Sequence, residues 1–301
     1  MSGRSHPPSL VRHAERLIRD EHLFGRGDVV LCACSGGPDS SALLHVLALL
    51  RPRLGHQLVA HGVDHGLRAA AAAELEAARA VAEPLGVPFA VTSLTVAPGA
   101  NLQARARTAR YEALARAGAA AGASVIATGH TADDRAETLL LRLLRGSGPR
   151  GLAVLPPQAP PSVPGSPDLV RPLIAARRQD VLAHLHRHAL PFCNDPSNLD
   201  PRFARVRVRH ELLPLLEELS PAIVDHLSAL ADMLASPGPE GVAPRPSGPA
   251  SGGLEALGRA QRLAVERARR LGRRSLRLRL PGGRDVDVTF PGGRIVLTEA
   301  G

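Results

Sequence analysis

Apolar and polar positions change rhythm along this chain. Val29–Cys34 is an unbroken apolar run, and a longer apolar run follows over residues 41–50. The first suits a buried strand and the second a buried helix. Residues 57–63, 89–94 and 124–128 repeat the strand pattern. Residues 69–85, 102–121 and 133–144 repeat the helical one, the last ending at Gly146. This alternation predicts an α/β fold: a Rossmann-like, doubly wound parallel sheet with helices on both faces. Ligands of such sheets bind beyond the carboxyl ends of the strands. Those ends carry Ser35, then Asp64 and His65, then Gly129 and His130.

The rhythm loosens further on. A Pro-rich loop spans 156–167, and helical patterns occupy 182–189, 206–219 and 222–234. Residues 236–253, rich in Pro, Gly and Ser, read as a flexible linker. An Arg-rich helix over 254–271 and short strands at 275–280, 285–289 and 294–297 follow. The expected organisation is an α/β domain over 1–215, a helical extension over 216–235, the linker, and a small α+β segment over 254–301, with no internal repeat.

Between the first strand and helix stands Ser35-Gly36-Gly37-Pro38-Asp39-Ser40. The glycines allow backbone angles closed to other residues, and Pro38 suits the first helical position. Unpaired N–H groups at a helix start, helped by the dipole, attract phosphate. Ser35 and Ser40 add hydroxyls. A plain tight turn is the bland alternative.

Composition narrows the chemistry. All 37 basic residues are arginine, which excludes a Walker loop and a Schiff-base lysine on this chain. A formal net charge of +9 over 301 residues favours an anionic partner, with nucleic acid first, although a GC-rich genome would also enrich arginine. Cys32, Cys34 and Cys193 make neither a disulfide framework nor a Cys-x-x-Cys metal site. The charged N-terminal stretch lacks a signal-peptide core, and no apolar run of about 18 residues suits a membrane span, so a cytoplasmic protein is expected.

Residues 129–138, Gly-His-Thr-Ala-Asp-Asp-Arg-Ala-Glu-Thr, form a second constellation. Thr131 and Asp134 have the spacing of a helix cap. Asp134 and Glu137 share one helix face, where two carboxylates suit a cationic group. His130 sits just past a strand end. Either aspartate alone is equally readable as a capping residue.

Together these segments resemble the bacterial tRNA(Ile)-lysidine synthetase family of N-type ATP pyrophosphatases, the PP-loop superfamily. The likeness extends over Ser35–Ser40, Asp64-His65-Gly66, Ala104-Arg105 with Arg110-Tyr111, His130 to Thr138, Arg145-Gly146-Ser147-Gly148, Arg171-Pro172-Leu173, Asp195-Pro196-Ser197-Asn198 and the 205–214 stretch. Thr131, Arg135 and Val206 depart from the family pattern, and only a short C-terminal segment around Pro281-Gly282-Gly283 is similar to the family's central domain.

The resemblance implies an enzyme that uses ATP and Mg²⁺. The wobble cytidine of a CAU-anticodon isoleucine tRNA attacks the α-phosphate, and free lysine then displaces AMP. It assigns Ser35, Gly36, Gly37, Pro38, Asp39 and Ser40 to ATP, with Asp39 a possible Mg²⁺ contact. His130 and Arg205 would stabilise the transferred phosphoryl group, so the catalytic set is His130, Arg205 and Asp39. Asp134 and Glu137 would bind lysine's ammonium and Arg110 its carboxylate. Replacing Asp39 or Glu137 with alanine is expected to abolish turnover and leave the fold intact.

Two arginine runs are expected to meet tRNA phosphates: Arg202, Arg205, Arg207 and Arg209, then Arg262, Arg267, Arg269, Arg270, Arg273 and Arg274. A solvated helix face is the alternative for the second run. His184, His186 and His188 read as surface histidines rather than metal ligands. Rival functions are a tRNA thiolase, which would need paired cysteines, an amidotransferase-type synthetase, which would need a glutaminase, and a non-catalytic RNA binder with a degenerate nucleotide site. The oligomeric state is not legible.

Overall fold

Six apolar residues in a row need cover on both sides, and β1 (Val29–Cys34) has it: every position after Val29 is buried. The computed structural model describes residues 9–64, 71–95, 99, 102–161, 163–193, 200–235, 257, 259–279, 285–290 and 295–299. After β1 come α2 (Pro38–Leu54), β2 (Gln57–Asp64), α3 (Ala71–Ala82), β3 (Phe89–Ser93), α4 (Leu102–Ala120), β4 (Val125–Ala127) and α5 (Ala132–Leu143). The alternation read from the apolar runs is therefore present, with shifted ends. Helix α2 starts three residues early because Pro38 occupies its first turn, and it stops where Gly55 turns left-handed at φ +71°.

With β5 (Gln158–Ala159) and β6 (Asp168–Val170), the main sheet has the order β3-β2-β1-β4-β6-β5. β1 pairs in parallel with β2 on one side and β4 on the other, so Leu31 lies between Val59 and Ile126. The strand order reverses at this β1/β4 boundary, the switch point of a doubly wound sheet. One face is covered by a core containing Leu43, Leu47, Val81 and Leu185, the other by a smaller core of Leu31, Leu114 and Ile126.

Four elements were not foreseen. Helix α1 (Leu10–Asp20) buries only Leu10, Ala14 and Ile18, one residue per turn among charges, too sparse a stripe to stand out. β5 (Gln158–Ala159) and β6 (Asp168–Val170) complete the sheet from inside and just after the Pro-rich loop. The buried Asp168 breaks the apolar run that would have marked β6. A one-turn helix, α6 (Pro149–Leu152), precedes them. Next, α7 (Arg178–Arg187) begins ahead of its expected start because the Asp180 carboxylate accepts the Arg177 N–H at its head. The 206–219 pattern resolves into α8 (Ala204–Arg207), a π-helical turn at Val208–Leu212 and α9 (Leu213–Leu219). Helix α10 (Ile223–Ala235) packs on α5 through Val224 and Ala136. Arg135 is buried there, bridging the Val154 carbonyl (3.1 Å) and Asp232 (2.6 Å).

The expected linker at 236–253 and Pro281-Gly282-Gly283 lie outside the described residues. Beyond them α11 (Arg259–Arg270) packs on a meander of β7 (Ser275–Arg279), β8 (Asp285–Thr289) and β9 (Val296–Glu299). This unit is fastened to the main sheet by arginines expected to meet phosphate. Arg270 holds the buried Asp168 at 2.8 Å, Arg273 holds the buried Asp28, and Arg267 donates to the carbonyls of His22 and Leu23. Three members of the second run are thus engaged within the chain, because two buried carboxylates at the amino-terminal ends of β1 and β6 require cations. The first run is likewise paired: Arg202 with Asp200, Arg207 with Glu211, and Arg205 and Arg209 with Glu137. None of the described helices is long and apolar enough to cross a membrane.

Candidate active site

β1 delivers the chain to the switch point and the loop turns at once. Gly36 has φ +75°, and a Cβ there would lie 1.8 Å from the Glu74 carbonyl oxygen, so no side chain fits. Gly37 is the extended residue ahead of α2, and no side chain caps that helix. Its leading N–H groups therefore face the loop without a side-chain partner. Ser40 is buried: its Oγ donates to the Gly37 carbonyl (3.0 Å), accepts from Ser35 N–H (3.2 Å) and lies 3.2 Å from Ser35 Oγ. It fixes the loop's shape and leaves Ser35 exposed at the rim.

The second switch-point loop leaves β4. A Cβ on Gly129 would stand 2.8 Å from the Asp39 carbonyl oxygen, so the two loops touch only because this residue has no side chain. His130 follows, with Nδ1 2.9 Å from Thr128 Oγ1. Burial lowers its pKa to about 3; Asp134 opposes this, while Arg171, Arg107 and Arg110 reinforce it. The ring is neutral near pH 7. Thr131 and Asp134 close a capping box on α5, as their spacing suggests: Asp134 Oδ2 accepts Thr131 N–H (2.9 Å) and Thr131 Oγ1 accepts Asp134 N–H (3.4 Å). Thr131 needs no ionisable side chain for this work.

On one side of His130 the charges are matched. Glu137 is fully buried; Arg209 Nε donates to its Oε1 (2.5 Å) and Arg205 Nε to its Oε2 (2.9 Å). Asp134 Oδ1 meets Arg205 (3.1 Å) and Arg178 (3.4 Å). Burial works against ionised Asp134, yet these cations and the Thr131 N–H hold its pKa below the ordinary value. Asp133 accepts from the Arg177 guanidinium (3.1 Å) and the Arg178 N–H (2.7 Å). Asp39 differs from these. Its carboxylate is 3.9 Å from Arg178, and its Oδ1 is buried with no hydrogen-bond partner. Burial and neighbouring Asp134 raise its pKa to about 6. An orphaned carboxylate oxygen at the lip of a phosphate loop fits a hard divalent cation such as Mg²⁺.

Around Arg171 and Arg110 positive charge is unmatched among the described residues. Arg171 is buried, donates to the Pro156 carbonyl (2.7 Å) and leaves Nε unpartnered. Burial lowers its pKa to about 10; Tyr111 opposes, and Arg107 and Arg135 add to the effect. Arg110 is half-buried and is also pushed down by burial. Neither makes an ion pair among the described residues, and both bear electrostatically on His130. Arg107 lies over the Tyr111 ring, 5.0 Å from its centroid. An anion would relieve this concentration of charge.

The fold thus gathers Ser35 to Ser40, His130, Asp134, Glu137 and Arg205 around the switch point and sets Arg110 within electrostatic reach. Asp64 ends β2, while His65 and Asp195 to Asn198 lie outside the described residues. Asp134 and Glu137 do share a face, but arginines already occupy their oxygens. Sequence reasoning assigned no role to Arg177, Arg178 or the unpaired state of Arg171; only Arg171-Pro172-Leu173 carried a signal. It also read His184, His186 and His188 alike as surface residues; His186 and His188 are exposed, but His184 is not. His184 is buried against His45, because α7 turns that face onto α2.

The PP-loop domain family matches residues 9–216. The chain is 42% identical over 235 residues to tRNA(Ile)-lysidine synthase of Symbiobacterium thermophilum, covering 75% of this chain and 48% of that protein. It is 40% identical over 237 residues to the same-named protein of Thermobifida fusca, covering 78% and 70%. Against that of Salinispora tropica it is 40% identical over 328 residues, covering 100% and 97%. It therefore spans about half of the first of these relatives and nearly the whole of the third. Among solved structures, the U34-tRNA thiolase NcsA of Methanococcus maripaludis shares the fold, with a TM-score of 0.61 at 18% identity over 74% of this chain and 79% of that one.

Proposed function

The chain belongs to the PP-loop family and, within it, to the tRNA(Ile)-lysidine synthases, and from that premise we propose that it ligates free lysine to the wobble cytidine of a CAU-anticodon isoleucine tRNA, consuming ATP and releasing AMP and pyrophosphate. The observation that carries this reading is the pairing at the switch point. A phosphate loop without a side-chain cap meets a β4 loop whose Gly129 lets them touch, with one unpartnered carboxylate oxygen between charge-balanced and positive surroundings.

In this reading Ser35 to Ser40 hold the pyrophosphate portion of ATP through backbone N–H groups at the head of α2. Asp39 would hold Mg²⁺, which neutralises charge on the phosphates. Arg171 and Arg110 supply the positive field on the α-phosphate side, and His130, neutral, donates a hydrogen bond rather than a charge. The C2 carbonyl oxygen of the cytosine attacks the α-phosphorus and pyrophosphate leaves. The lysine amine then attacks the activated ring carbon and AMP departs.

Arg205 has two stations. With no substrate it neutralises Glu137 and Asp134, and it is the most exposed of the arginines that do so. When the lysine ammonium takes its place on those carboxylates, Arg205 is released toward the phosphoryl group, so amine binding and charge stabilisation are coupled. A cytoplasmic setting follows from a tRNA substrate. The test is incubation with Mg²⁺, ATP, labelled lysine and an isoleucine tRNA transcript bearing CAU. Label should enter the tRNA with equimolar AMP, and ATP turnover indifferent to lysine and tRNA would refute the assignment.

A further inference from the structure

We propose that His45, His184 and His188 form a binding site for a divalent transition-metal ion of the zinc class, away from the nucleotide site, clipping α7 to α2. His184 and His188 are one helical turn apart, the i, i+4 spacing by which a helix presents two imidazoles to one zinc ion. His45 reaches them from α2. The ring centroids are 5.0 Å (His45–His184), 4.7 Å (His45–His188) and 4.5 Å (His184–His188) apart. Each ring offers one nitrogen to a common space, all three lying within 4.8 Å of one another. Three imidazoles bound tetrahedrally at about 2.1 Å would have nitrogens about 3.4 Å apart and centroids about 5.2 Å apart, so the rings must turn to draw nitrogens now up to 4.8 Å apart closer by about an ångström.

The chemistry of the rings agrees. His45 Nδ1 and His184 Nε2 are 2.9 Å apart, a hydrogen bond in which one nitrogen carries the proton. A metal takes that proton's place, and the donor ring shifts its proton to its other nitrogen, so each ring stays neutral with its N–H turned away from the ion. Burial holds both rings neutral near pH 7, with lone pairs available. His188 is exposed, which gives an ion its entry and leaves a fourth position to water. Soft thiolates are absent from the cluster, and imidazole donors suit zinc, copper or nickel rather than Mg²⁺.

The location gives such a clip an effect. The N-terminus of α2 carries the phosphate loop, and the residues heading α7, Arg177 and Arg178, hold Asp133, Asp134 and Asp39. Fixing one helix to the other fixes these two halves of the nucleotide site.

The experiment is zinc titration of the full chain by calorimetry, together with visible absorption of the cobalt-loaded protein and thermal unfolding with and without zinc. One ion should bind the wild type and raise its Tm. His188→Ala, a surface change, should keep the far-UV spectrum and lose zinc affinity by on the order of a hundredfold or more, since even outer partners of zinc ligands cost tenfold to a hundredfold. His45→Gln should lose it likewise, and Asp39→Asn should keep it. Absence of zinc binding to the wild type at micromolar concentration would overturn the proposal. So would unchanged affinity in folded His188→Ala, or loss of the ion in Asp39→Asn alone.

Discussion

Asp39→Asn should make the protein more stable and less active at once. The carboxylate is held in the fold with its pKa near 6 against an ordinary 3.8, mainly by burial and the neighbouring Asp134. The unfolded chain ionises it near the ordinary value. Below about pH 4 both states are protonated and the group contributes no difference. Between about pH 4 and 6 the unfolded state releases its proton while the folded state keeps it, and stability falls as pH rises. Above about pH 6 the full penalty is present. A shift of about two units corresponds to about 3 kcal/mol at 1.36 kcal/mol per unit, and partial solvent access makes this an upper figure. Asparagine keeps the shape without the charge. Urea unfolding of the ligand-free protein should show the variant about 1–3 kcal/mol more stable at about pH 8, with the gap closing toward pH 4. In the presence of Mg²⁺ and ATP its lysine incorporation should fall about a hundredfold or more. A variant less stable than wild type at pH 8, or a gap of constant size across the acid range, would refute the claim that burying this charge costs the ligand-free protein stability.

Glu137→Ala tests a revised expectation: the side chain is fully buried under Arg205 and Arg209, so its removal should cost roughly 3–5 kcal/mol in urea unfolding rather than leave the fold intact. Gly129→Ala pushes a Cβ against the Asp39 carbonyl oxygen; about an ångström of displacement should lower kcat/KM for ATP on the order of a hundredfold, and an unchanged value would show that the loops do not set the geometry. Truncation before Leu254 strands the buried Asp28 and Asp168, so it should lower the Tm of the remaining domain as well as tRNA affinity, and an unaltered Tm would count against the docking arginines. With the His130 pKa lowered to about 3, no limb of the pH–rate profile between about pH 5 and 8 should belong to this residue; a limb lost in His130→Asn would contradict its neutral state.

The alternation of apolar runs was enough to determine the doubly wound sheet, and Ser35–Ser40 with Gly129–Thr138 was enough to mark its switch point, because strand burial, glycine freedom and helix capping act over a few neighbouring residues. Partnership was a different matter. Nothing near Arg177, Arg178, Arg205 or Arg209 in the chain says that they neutralise Asp133, Asp134 and Glu137, since these ion pairs join residues 44 to 75 positions apart. The same holds for Arg270 and Arg273, legible as phosphate-seeking yet drawn to Asp168 and Asp28 at the amino-terminal ends of β6 and β1. His45 and His184 lie 139 positions apart and meet only because α7 packs on α2. Local rules follow from backbone geometry and can be read along the sequence; which charge meets which depends on the approach of distant elements, and only the packed tertiary structure brings them within reach.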